Sequence, residues 1–185
     1  MAINIDIFEV TGANAVEDGV IMTGDLGVLT RALVFGRDDD VAPNPIVRPI
    51  RGVKRSFEKY LKLTASSLGA GERISNLQLF ASGAEYSAGV TVQIGLAANH
   101  AAPVDTDSAA ATDSIFTKTT AAPLLITPAD EEYSIDGNNG SNQIALHSQL
   151  GDFVVLQMDV RQTAKTGALI TEYDPVSLVI RYDEA

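Results

Sequence analysis

Apolar and polar residues alternate along several stretches of the chain, as they do in a β-strand that buries one face. Near the start, Ile3, Ile5 and Ile7 alternate with Asn4 and Asp6. The same period of two recurs further along, in residues 90–96 and 176–182. Strands of this kind are typical of antiparallel sheets that face a core on one side and water on the other.

Residues 53–64 and 74–80 carry a less regular form of the same pattern. In the first of them, Phe57 and Leu61 share one face, and Lys59 interrupts that face. Residues of both stretches alternate often enough to predict further strands.

Residues 153–160 are apolar on both faces, because only Gln157 and Asp159 are polar in that stretch. A strand that lacks a polar face has no side to turn towards water. This stretch therefore predicts a central strand that is buried on both sides for most of its length.

Turns and irregular segments lie between the predicted strands. The strongest turn signal is Asp136–Ser141, and Pro175 stands just before the last strand, where its missing donor does little harm. Gly36–Pro49 is rich in aspartate and proline and predicts an exposed loop or arm, whereas Ala97–Asp113 predicts a surface excursion. Helix is the minority state: Ala15–Leu33 could hold one short helix, but three glycines disfavour it.

Short strands separated by glycine-rich turns predict an all-β fold, an antiparallel β-sandwich with long loops. We expect a jelly-roll-like version of it, with eight strands in two sheets. A chain of 185 residues, 45% of them hydrophobic, fits one domain. We therefore expect residues 1–185 to form a single β-sandwich domain, with an N-terminal arm and an extended loop within residues 1–50.

The charge of the chain argues against nucleic acid as a partner. It carries 24 acidic and 13 basic residues, for a net charge of −11, which a phosphate backbone would repel. The exception is a basic cluster, which we interpret as a contact for an acidic partner or as a solvated face. It consists of Arg48, Arg51, Lys54 and Arg55.

We expect no signal peptide and no membrane association. The first ten residues lack a basic region, and no apolar run approaches the roughly 20 residues that cross a bilayer. The chain has no cysteine, which excludes disulfides and thiolate metal sites.

Motifs that carry chemistry are absent from the sequence. His100 and His147 lack metal-ligand spacing, and there is no nucleophile elbow and no phosphate-binding loop. The acidic stretches 38–40 and 105–107 offer oxygen ligands for calcium, but a solvated acidic loop explains them better. We therefore expect a protein that is not an enzyme and that holds no cofactor and no metal.

Three segments resemble parts of tailed-bacteriophage virion structural proteins, namely Arg51–Tyr60, Ile74–Leu77 and Gly89–Val92. In those proteins a strand with the pattern SxEK can precede, after a short loop, a strand that begins ISNL. The first pattern falls here on Ser56, Glu58 and Lys59.

The resemblance implies a subunit of a phage particle, assembled in the bacterial cytoplasm and located in the virion. The expected role is capsid decoration: a cement protein, favoured as a homotrimer, that binds the major capsid protein and stabilises the assembled head. Two alternatives remain open: a tail, neck or baseplate subunit, and a carbohydrate-binding module of a host-recognition structure.

Two candidate interfaces follow from these expectations. Ile3, Ile5 and Ile7 would suit an arm that adds a strand to a neighbour's sheet, although the same residues also suit the first strand of the chain's own sandwich. The basic cluster is the second candidate, because it would face an acidic surface on another virion subunit.

Overall fold

A computed structural model gives the architecture of the chain. The residues it describes are 3–12, 16–23, 28–29, 33–40, 43–83, 89–126, 132–136, 142–164 and 177–185.

The regular secondary structure of the described residues consists of β-strands and one 3-10 turn at Ile115–Thr117. In chain order the strands are β1 (Asn4–Thr11), β2 (Val16–Thr23), β3 (Val28–Leu29), β4 (Val53–Arg55), β5 (Lys59–Ser67), β6 (Ile74–Ser82), β7 (Val90–Ala97), β8 (Asp113–Ser114), β9 (Leu124–Leu125), β10 (Tyr133–Ser134), β11 (Asn142–Gln143), β12 (Phe153–Arg161) and β13 (Ser177–Glu184).

The strands belong to two sheets. Sheet A has the order β3-β2-β1-β5-β12-β7-β8, and β4 also pairs with β12. Sheet B has the order β11-β10-β6-β13, and β9 also pairs with β6. Every described pair is antiparallel except the short pair of β10 and β11. The prediction of an all-β antiparallel sandwich is confirmed.

The hydrophobic core lies between the two sheets, because both contribute to one cluster of buried side chains. Ile7 and Leu63 stand opposite each other on β1 and β5 of sheet A, and Leu79 comes from β6 of sheet B. The two ends of the chain meet beside this core, where the Tyr182 hydroxyl donates to the Ile3 carbonyl at 3.2 Å. Burial of this apolar surface is the main force that holds the sheets together.

Strand β12 is central, as its sequence predicts. It lies between β5 and β7, and its residues from Phe153 to Val160 are all buried. Val154 joins the core between the sheets, whereas Val155 packs with Tyr60 in a second cluster on the outer face of sheet A. An apolar strand without a polar face thus marks the most enclosed position in the sheet.

The predicted surface excursion folds back over the outer face of sheet A. The fully buried side-chain amide of Gln157 donates to the carbonyls of Val104 and Thr106 at 3.2 and 2.8 Å. Its oxygen accepts from the Ser108 amide at 3.1 Å, and its nitrogen also lies 3.0 Å from the Ser56 carbonyl. One polar side chain of β12 therefore satisfies backbone groups of the segment that covers it.

Gly95 permits the close approach of that covering segment. A β-carbon at this position of β7 would lie 1.8 Å from the carbonyl oxygen of Ala110. Only a residue without a side chain fits such a distance, so Gly95 sets how near the segment can come to the sheet.

The short helix that the sequence disfavours within Ala15–Leu33 does not form in residues 16–23 and 28–29, the main described parts of that stretch. Residues Val16–Thr23 form β2, which pairs with β1 so that Phe8 stands opposite Val20. The glycines disfavour a helix there, and the edge of β1 supplies backbone partners for a strand. Three other sequence-based assignments, at Gly137–Ser141, Pro175 and Val176, lie outside the described residues.

Candidate functional site

The first segment of the resemblance, Arg51–Tyr60, contains buried polar side chains that connect neighbouring parts of the fold. Ser56 is fully buried, and its hydroxyl accepts from the Met158 amide at 2.9 Å and donates to the Phe57 carbonyl at 2.7 Å. The carboxylate of Glu58 accepts from the Val104 amide at 3.4 Å. Both side chains therefore connect the entry of β5 to neighbouring segments.

Lys59, the last residue of that pattern, makes a fully buried ion pair. Its ammonium nitrogen lies 2.7 Å from Oε1 of Glu9 on β1, and neither side chain is exposed to solvent. The same nitrogen donates to the Asp40 carbonyl at 2.5 Å. Because a buried charge without a partner is very costly, this pair fixes β1, β5 and the loop at Asp40 relative to one another.

The second segment of the resemblance marks an irregularity in the sheet. Asn76 has a φ of 53°, and the register between β6 and β13 shifts between Arg181 and Asp183. The Asn76 side-chain amide donates to Asp183 at 3.0 Å across this shift. Asparagine tolerates the left-handed conformation better than most residues, so the motif encodes a β-bulge.

The third segment begins at a glycine that its surroundings require. Gly89 has a φ of 94°, and a β-carbon there would lie 2.3 Å from the Ala164 amide nitrogen. Its carbonyl accepts from the Arg161 amide at 2.7 Å. All three segments of the resemblance therefore have structural roles inside the sandwich.

The isoleucines of the N-terminal candidate interface lie in the chain's own core. Ile3, Ile5 and Ile7 are almost completely buried, and β1 pairs with β2 on one side and β5 on the other. Of the two alternatives for this segment, an added arm or the first strand of the chain's own sandwich, the structure shows the first strand. Their side chains are accordingly not part of the exposed surface of the described structure.

The second candidate interface belongs to an exposed stretch of chain, Val47–Lys54, which we call the basic–apolar segment. Ile50 is 93% exposed and Val47 is 64% exposed, and both stand among cationic side chains. Exposed large apolar residues are ordinary one at a time, but several on one segment are a common feature of binding surfaces. The sequence showed the cations but not the exposure of these two side chains.

The four predicted cations divide into two pairs. Arg48 donates to the Ala164 carbonyl at 3.0 Å, and Arg55 forms ion pairs with Asp107 and Asp159. Arg51 is exposed and Lys54 is half-buried, and neither makes an ion pair with a residue that the structure describes. The first pair holds the segment in place and the second pair presents its charge outward.

Burial has the largest effect on the pKa of Asp159, the acid beside Arg55. The pKa of Asp159 is raised above its ordinary value of 3.8 by burial, an effect that the Arg55 guanidinium partly opposes. Arg55 reaches Asp159 across 3.4 Å and also contacts the exposed Asp107. The cation thus offsets part of the cost of burying the Asp159 carboxylate.

An open polar depression borders the basic–apolar segment. Asp38 stands in it and accepts two hydrogen bonds from Asn44, which lower the pKa of the Asp38 carboxyl below 3.8. The depression is shallow and both signs of charge line it, so it does not enclose a ligand. The residues around it are Arg37, Asp38, Asn44, Lys54, Arg55 and Asp105.

The histidines lie in unrelated places. The ring of His100 packs 4.7 Å from that of Tyr60 and 5.8 Å from that of Phe153, and burial lowers the pKa of His100 below 6.5. His147 is exposed on a turn, with a φ of 65°. Among the residues that the structure describes, no group of three His, Asp or Glu side chains could hold a metal ion.

The described part of the chain contains no helix with the length and hydrophobicity that a membrane crossing requires. A scan against protein-family models finds no match, and searches of the curated proteins and of the solved structures find none either.

Proposed function

We propose that this chain is a non-enzymatic structural subunit of a tailed-bacteriophage particle, namely a decoration protein that binds the assembled head and stabilises it. The observation that carries the proposal is the basic–apolar segment, which exposes the side chain of Ile50. It also carries Arg51 and Lys54, which make no ion pair with any residue that the structure describes. Apolar groups of this kind, surrounded by charge, are suited to contact with another protein.

The resemblance to phage virion proteins supports the same role. Ser56 and Lys59, two polar residues of the resembling segment, are fully buried and connect strands. What this chain would share with phage virion proteins is therefore the arrangement of its strands. A scaffold of this kind leaves its exterior free to carry the function. We retain the jelly-roll-like arrangement as part of this proposal, because the two facing antiparallel sheets are compatible with it.

The partners in this proposal are the major capsid protein and other subunits of the particle, including further copies of the chain in a homotrimer. The overall charge of −11 would keep many copies soluble before assembly, whereas the cations of the basic–apolar segment favour an acidic contact surface. The place of action would be the virion, after assembly in the bacterial cytoplasm.

The mechanism is stabilisation by binding. A protein that binds the assembled shell and not its separated subunits shifts the equilibrium towards the shell. At a concentration of 100 times the dissociation constant, each site contributes about 2.7 kcal/mol. Many weak contacts repeated over a shell therefore add a large resistance to heat without any catalytic step.

The test compares particles with and without this chain. Particles that lack it should release their genome at a lower temperature, as a DNA-binding dye would report, and adding the purified chain should restore the resistance. Equal resistance in all three samples would refute the proposal. The number of copies per particle separates the alternatives, since hundreds indicate the head and a handful indicates the tail, neck or baseplate.

A further inference from the structure

The basic–apolar segment offers a surface that the described part of its own chain leaves exposed. Ile50 is the most exposed large apolar side chain in the described residues, and Val47 and Val53 are exposed on the same segment. Arg51 and Lys54 stand beside them without an ion pair in the described part of the chain. A partner that covers this segment must supply both an apolar contact and negative charge.

Strand β13 offers the matching surface on the other sheet. It pairs with β6 alone in the described structure and is eight residues long, whereas the other strands with a single described partner have only two or three residues each. Long open edges are templates for pairing with another chain, and proteins usually avoid them. The half-buried Val179 and the exposed Glu184 give this edge an apolar part and an acidic end.

We propose that the basic–apolar segment of one copy of this chain docks on the β13 edge of a second copy. Ile50 would cover the half-buried Val179, and Arg51 would face Glu184. This proposal rests on the proposed function, because it names the neighbouring copy as the partner of the same segment. Both halves of the contact, one basic and one acidic, are present on a single chain, so charge complementarity favours a second copy as the occupant.

The position of the two surfaces determines the kind of assembly. The segment leads into β4, which pairs with β12 of sheet A, whereas β13 belongs to sheet B. A contact between two different surfaces is heterologous, and such contacts close into rings when the rotation between copies allows it. The geometry of the contact is therefore compatible with the trimer that the sequence favours.

The experiment measures the mass of the full chain in solution by sedimentation over a range of concentrations and salt. Wild type should associate, and the loss of association caused by Arg51→Glu should shrink as salt rises, because salt screens the Arg51–Glu184 contact. Ile50→Asp should weaken association about 30-fold, since burying an aliphatic side chain gives about that factor. Leu146→Asp is the matched control. The side chain of Leu146 is 46% exposed and belongs to neither of the two docking surfaces, so the substitution should leave association unchanged.

Charge exchange tests which surface accepts the segment. Arg51→Glu and Glu184→Lys should each weaken association, and the double variant should recover most of it. A wild-type chain that stays monomeric at the highest concentration would overturn the proposal. Association that Ile50→Asp weakens but Glu184→Lys leaves unchanged would overturn it too, because β13 would then not be the acceptor.

The outcome is separable from that of the proposed function. A monomeric chain that still protects phage particles against heat would overturn the contact between copies and leave the decoration role standing. An oligomer that gives no such protection would support the contact and refute the decoration role.

Discussion

Replacement of Lys59 by methionine tests the buried ion pair, which is the most demanding interaction in the described structure. The substitution removes both the 2.7 Å contact with Glu9 and the hydrogen bond to the Asp40 carbonyl, and it leaves the Glu9 carboxylate without its cation. Methionine is close to lysine in length, so the packing around β5 changes little. The effect of the substitution is therefore mainly electrostatic.

The expected loss follows from the burial of both groups. Removing one partner of a fully buried pair costs about 3–5 kcal/mol, because the remaining charge stays in a medium that solvates it poorly. For a chain of this size, each kcal/mol lowers the melting temperature by about 2–4 °C, so Lys59→Met should lower it by about 6–20 °C. A domain with a total stability of about 5–15 kcal/mol would lose a large share of it.

The double variant Lys59→Met with Glu9→Leu separates charge from packing. Since neither charge of the Lys59–Glu9 pair remains in it, its stability should lie close to that of wild type and well above that of Lys59→Met alone. Lys62→Met is the control on the same strand, because Lys62 is half-exposed and its replacement should cost less than about 1 kcal/mol.

Urea denaturation followed by far-ultraviolet circular dichroism measures these differences, since the chain has no tryptophan for fluorescence. A loss below about 1 kcal/mol for Lys59→Met would refute the reasoning, because an exposed pair would give that value. A double variant less stable than Lys59→Met would equally show that charge burial is not the cause.

Three further predictions concern sheet A and its cover. Gly95→Ala should cost about 1–3 kcal/mol in denaturation, because its β-carbon would meet the Ala110 carbonyl at 1.8 Å; unchanged stability would contradict that contact. Gln157→Leu should speed hydrogen exchange of the Ser108 amide, which would lose its acceptor, while amides of sheet B stay protected. Stability should fall as pH drops below 6.5, since the lowered pKa of His100 keeps it neutral in the folded state and the unfolded chain binds the proton more readily; melting curves of His100→Asn should lose this dependence.

The sequence predicts those strands in which the pattern of apolar residues shows which faces are buried. Alternation at Ile3–Ile7 places β1 in the core, and the apolar faces of residues 153–160 place β12 at the centre of its sheet. It also places Lys59 on an apolar face, which was the available signal for a buried cation. Its partner Glu9 could not be found, because strand pairing between β1 and β5 depends on the whole topology.

Other features depend on distances that no local pattern encodes. Gln157 holds the segment over sheet A by hydrogen bonds, and Gly95 leaves the room that the segment needs. Neither role can be read from the sequence, because glutamine and glycine occur at many other positions of the chain. Strand β2 was missed because Gly19 within it and the glycines that follow it weaken the signal of either regular structure. The exposure of Ile50 was missed because an apolar residue in a proline-rich stretch predicts burial as readily as a binding surface.

The measurement that tests the central claim most directly is an electron microscopy reconstruction of the phage particle that locates this chain. The account predicts density for the chain in many symmetric copies on the head, with the basic–apolar segment buried against a neighbouring subunit. It would be contradicted by a particle that lacks the chain, or by a bound chain whose Ile50 faces open solvent.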